Sequence, residues 1–192
     1  LFRSLKNGTD DESVFAQGAV LDVMQKLPWI ITVPMSNGKH FHIIHAEIFE
    51  DRPITDDDLD DYLWQHHIKQ IFSRDGPALK WGRWIFYPLY MQTMDDRNIR
   101  KYQTWYKINK CGKFFNEKLS HIYCGHSIMK QPTRVGGQTN LDTGAFLALQ
   151  RSQYSDRIMN PWAGLTFTEP LTDRFWTSRL EGVVETQPLV LI

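Results

Sequence analysis

From Trp29 onward the chain is cut into short runs rich in β-branched and aromatic side chains, each closed by turn residues, and this punctuation constrains the fold more than any other feature. Trp29-Ile30-Ile31-Thr32-Val33 reads as a strand, and Ser36-Asn37-Gly38 as a turn into a second strand over Lys39 to Phe49. After Asp75-Gly76-Pro77 come four more β-type runs: Trp84 to Met91, Lys101 to Lys110, Leu119 to Met129 and, past a polar loop from Pro132 to Thr143, Ala145 to Gln150. Two others lie around Leu165 to Thr168 and Glu181 to Ile192. Helical signals are fewer. Thr55 followed by Asp56, Asp57 and Asp58 predicts a helix start, with acids favoured at the positive end of the dipole and a run to about Phe72. Asp10-Asp11-Glu12-Ser13 precedes a weaker helical pattern over Val14 to Leu27.

The pattern predicts a mainly β fold of about eight strands, layered as a β-sandwich or jelly roll, with one or two helices. An α+β mixed sheet with covering helices is the alternative. At 192 residues without an internal repeat or low-complexity divider, the chain reads as a single domain over 1–192. It is 42% hydrophobic and 23% charged, with 22 basic residues against 22 acidic, so no whole-molecule field gathers nucleic acid or anionic membrane. No apolar run approaches the roughly 20 residues of a membrane-spanning helix, and no signal peptide opens the sequence. We therefore expect no membrane partner. Cys111 and Cys124 are the only thiols, too few for a disulfide framework, which points to a reducing, intracellular compartment or a virion. Leu1 in place of Met suggests a processed chain or a piece of a longer one.

The richest stretch for chemistry is His40-Phe41-His42-Ile43-Ile44-His45-Ala46-Glu47. On a strand, alternate side chains share a face, so His40 and His42 point the same way and can share a transition metal, while Glu47 falls on the other face. The spacing His40-x-His42 with Glu47 resembles the first metal motif of cupins, which implies a jelly-roll barrel; where the second motif would lie, Tyr90 and Met94 replace its second glycine and its histidine. His40-Phe41-His42 on a strand preceded by a strand also resembles the metal motif of rolling-circle DNA nickases. That resemblance implies a divalent metal held by His40 and His42 and a tyrosine nucleophile, for which Tyr102 and Tyr106 have the spacing. His45-Ala46-Glu47 is similar to half of the zinc deaminase motif, but Cys111 and Cys124 stand thirteen apart and do not form its cysteine pair. His121, Cys124 and His126 form a second cluster, with Cys124 and His126 on one face.

Charge is unevenly placed. Eight acids and one base lie between Glu47 and Asp61, and seven bases and one acid between Arg97 and Lys118. The acids at Asp56 to Asp61 read as a solvated helix start. The basic stretch interleaves Lys101, Lys107 and Lys110 with Tyr102, Trp105 and Tyr106, a composition suited to nucleic acid or to a partner surface. With no complete catalytic constellation, a high aromatic content and an apolar C-terminal run, the first expectation is a non-enzymatic structural subunit of a larger assembly, capsid-like, self-associating or bound to other subunits, and without a cofactor. A metal-dependent enzyme using His40, His42 and a divalent transition metal is the second, and a nucleic-acid-binding module the third.

Overall fold

A computed structural model describes residues 28, 30–48, 54–59, 86, 100–101, 104, 118–148 and 162–191. The mainly β class expected from the sequence holds. Among the described residues nine strands occur: β1 (Ile30–Pro34), β2 (His40–Ile44), β3 (Ile122–Cys124), β4 (Thr133–Val135), β5 (Gln138–Asn140), β6 (Leu165–Glu169), β7 (Arg174–Arg179), β8 (Gly182–Thr186) and β9 (Leu189–Val190). Six of them form a sheet in the order β1-β2-β3-β5-β4-β9, and β6-β7-β8 form a second, antiparallel sheet. The six-stranded sheet is mixed. β2–β3, β3–β5 and β4–β9 pair in parallel, as in the mixed-sheet alternative rather than in a wholly antiparallel jelly roll.

The first hairpin forms where the turn residues put it. Gly38 sits at φ 78, a left-handed position that glycine adopts without steric cost, and its N–H donates to the Met35 carbonyl at 3.1 Å. Lys39 N–H donates to Asn37 Oδ1 at 3.0 Å, and Met35 N–H closes the ladder on the Lys39 carbonyl. Beyond Ile44 the chain leaves the strand earlier than its residue types predict. Ala46, Glu47 and Ile48 turn inward and are buried, and the Gln138 side chain clamps the Ile48 backbone by donating to its carbonyl and accepting its N–H.

Strand register divides the residues of the large sheet into two rows. Thr32, His42, Ile122, Gln138 and Val135 lie side by side on one face, with all but the edge residue Thr32 buried. Ile31, Ile43, Tyr123, Thr139, Arg134 and Val190 line the other, where Tyr123 and Thr139 are buried but Ile31, Ile43 and Val190 are exposed. The β6–β7 hairpin meets the middle of this second row. The Arg134 guanidinium takes both Asp173 oxygens and lies over the Phe175 ring, while Thr168 hydrogen-bonds the Tyr123 side chain. A chain of hydroxyls continues into the small sheet, from Thr143 to Thr166 (2.7 Å), Thr177 (2.8 Å) and Thr186 (3.4 Å). Thr143 donates its proton to the Gly164 carbonyl, so each later hydroxyl donates back along the series.

Several sequence expectations require correction. The loop from Pro132 to Thr143 contains the β4–β5 hairpin, whose polar residues Gln138, Thr139 and Asn140 are buried and hydrogen-bonded. Residues 145–148 are helical rather than a strand, because Gly144 at φ 74 turns the chain and its carbonyl accepts Leu147 and Ala148 N–H. The expected strand Lys101 to Lys110 is helical at residues 100, 101 and 104, where Thr104 Oγ1 donates to the Arg100 carbonyl one turn back. The strand over Leu119 to Met129 shortens to Ile122–Cys124, and β7 had no counterpart in the sequence reading. The helix over Val14 to Leu27, most of the helix to Phe72 and the run Trp84 to Met91 apart from the buried Phe86 lie outside the described residues.

His121 links this packing to pH. Its Nε2 lies 2.8 Å from Thr139 Oγ1, which also accepts Arg134 Nε–H. Burial first, and then the Arg134 charge, lower its pKa to about 4. The neutral ring therefore contributes stability that is present above pH 6.5 and lost as pH falls through about 4. Denaturant melts should show stability falling over this window by an amount on the order of 3 kcal/mol, and His121→Gln should flatten the dependence.

Candidate metal centre

The hairpin β1–β2 sets the centre. His40 and His42 stand two apart on β2, share a face, and meet edge-on with ring centroids 5.3 Å apart. The third member comes from the turn Asp56–Asp58. Here Thr55 N–H and its hydroxyl both donate to Asp58 Oδ2, at 2.7 and 2.9 Å, so Asp58 closes the turn. Asp56 N–H donates to the Lys118 carbonyl, and this tie aims the Asp56 side chain at the sheet.

The Asp56 carboxylate then collects four donors. Oδ1 accepts His42 Nε2 at 2.9 Å and Ser120 N–H at 2.7 Å; Oδ2 accepts His40 Nε2 at 2.7 Å and the Ser120 hydroxyl at 2.6 Å. Burial opposes ionisation, but the Ser120 hydroxyl and amide together with His42 outweigh it and hold the carboxyl at about 2. Asp56 is therefore an anion at neutral pH. Behind His42, Thr32 Oγ1 lies 3.0 Å from Nδ1, and a hydroxyl there can give or take a proton to suit either tautomer. The His42 side chain is only 2% exposed, against 24% for Asp56 and 37% for His40, so the cluster opens to solvent on the His40 side.

One donor atom from each of His40, His42 and Asp56 lies within 4.8 Å of the other two, the one such group of three among the described residues. Two imidazoles and one carboxylate suit zinc, iron, cobalt or manganese better than calcium or magnesium, which prefer all-oxygen shells.

The pairing of His40 with His42 was read from strand alternation. Asp56 was not; read as part of a solvated helix start, it turns inward instead, while Asp57 is exposed. Glu47, the carboxylate that the cupin resemblance would use, is buried elsewhere and accepts Phe86 N–H at 3.1 Å. The second cluster does not assemble as expected. His126 has left the strand at φ 69 and packs against His45, with ring centroids 5.0 Å apart. Burial, and then the Glu47 charge, push the Cys124 thiol well up, which disfavours a thiolate ligand. Lys101 is exposed on a helical segment, and Tyr102, Trp105, Tyr106, Lys107 and Lys110 lie outside the described residues. No protein-family model matches the sequence, and no curated protein matches it.

Removing the carboxylate leaves an amide, a hydroxyl and two imidazoles without their acceptor. Asp56→Ala should destabilise the chain by about 2–3 kcal/mol in a denaturant melt, whereas Asp57→Ala should stay within about 0.5 kcal/mol. Equal effects would return Asp56 to the role of a solvated helix-start residue.

Proposed function

We propose that this protein binds one divalent transition-metal ion at His40, His42 and Asp56, in a centre that keeps an exchangeable coordination position. The observation that carries the reading is the convergence of two imidazole nitrogens and an ionised carboxylate, with His42 buried and held from behind. Three protein ligands leave at least one position for water or a small molecule, as in catalytic rather than closed structural zinc sites. Ion entry replaces the two His-to-Asp hydrogen bonds with metal bonds and leaves both Ser120 bonds in place. Titration of the chelator-treated full chain with Zn²⁺ or Co²⁺ should show one equivalent bound and a raised melting temperature, with no response to Ca²⁺ or Mg²⁺. His42→Ala should weaken binding at least about 100-fold. Failure to bind, or binding untouched by His42→Ala, would retire the reading.

A second reading, a self-associating subunit of a larger assembly, is favoured by β8. This outer strand of the small sheet exposes Val183 (60%) and Val184 (46%) on opposite faces, and its one charged residue, Glu185, is engaged by Arg174. Apolar edge strands without guarding charges favour pairing with another strand. Native mass spectrometry at high protein concentration should then show a defined oligomer, and a monodisperse monomer would exclude it.

A further inference from the structure

Two donors of the centre, His42 and Asp56, are each held by a group that is not itself a ligand. Thr32 stands directly across from His42 in the β1–β2 register, with its Oγ1 3.0 Å from Nδ1. An imidazole that offers Nε2 to a metal carries its proton on Nδ1, and a hydroxyl at that distance can accept it and hold the ring plane. Ser120 does the equivalent for the carboxylate. Its N–H takes Oδ1 at 2.7 Å and its hydroxyl takes Oδ2 at 2.6 Å, which blocks rotation of the group and leaves each oxygen further capacity on the histidine side. Neither residue needs to move when an ion replaces the His-to-Asp bonds.

We propose that Thr32 and Ser120 are positioning residues of the metal centre, setting its affinity without touching the ion. This rests on the metal reading above. Thr32 is the cleaner probe, because it is exposed on the edge strand β1 and valine has its shape and strand preference.

The test is competition for Co²⁺ or Zn²⁺ between a chromophoric chelator and the full chain as wild type, Thr32→Val, Thr32→Ser and Ser120→Ala. Thr32→Val and Ser120→Ala should each weaken binding by about 10- to 100-fold, and Thr32→Ser, which restores the hydroxyl, should stay within about threefold of wild type. The visible spectrum of bound Co²⁺ should shift in Thr32→Val and keep its wild-type form in Thr32→Ser, a difference that a threonine without a role at the ion would not produce. Wild-type affinity in both Thr32→Val and Ser120→Ala would overturn the positioning role and leave the metal reading standing. A wild-type chain that takes up no ion would overturn both. Should Ser120→Ala not fold, the comparison of Thr32→Val with Thr32→Ser decides alone.

Discussion

One carboxylate joins three stretches of chain that are far apart in sequence. Asp56 accepts two bonds from the β1–β2 hairpin, through His40 and His42, and two from Ser120 at the entry to β3. β2 and β3 are parallel neighbours, and parallel strands need a long crossover between them. The turn carrying Asp56 lies within that crossover, so the interaction that assembles the donor set also pins the connection to the sheet. An anion in such a position is tolerated because every donor around it is supplied; remove the donors and the same burial would favour the protonated acid.

The large sheet then does two different jobs. One face buries His42, Ile122, Gln138 and Val135, with Gln138 holding the Ile48 backbone, and the candidate centre sits at the edge of that row. Among the described residues, the other face meets the small sheet through the Arg134–Asp173 pair, the Arg134–Phe175 contact and the Thr168–Tyr123 hydrogen bond. Arg134 is central to it, because the same guanidinium meets Asp173, Phe175 and Thr139. The bidentate geometry of the Arg134–Asp173 pair, with the guanidinium over Phe175, makes the mutual placement of the sheets specific.

What the sequence revealed was local. The first hairpin follows from Asn37-Gly38 between β-branched runs, and the sharing of a face by His40 and His42 follows from strand alternation alone. The β4–β5 hairpin was hidden because Gln138, Thr139 and Asn140 look like loop residues, and their polarity is satisfied by partners that only the folded chain supplies. β7 was missed although Phe175 and Thr177 alternate with outward residues, because Arg174 and Arg179 at its ends read as surface. Asp56 was the costliest omission. Nothing within its own helix start distinguishes it from Asp57, since the groups that single it out are 14, 16 and 64 residues away.

Those separations also order the events of folding. Thr32 and His42 are ten residues apart and belong to one hairpin, a unit that closes on the microsecond scale. Ser120 reaches Asp56 only after a loop of 64 residues has closed, and contacts between distant parts of a chain form slowly. The three donors, separated by at most 16 residues, therefore close a shorter loop than the Ser120 bonds that hold the carboxylate. On the metal reading proposed above, an ion would be held at full affinity only once Ser120 has docked, so its uptake would report on the completion of the fold rather than on its beginning.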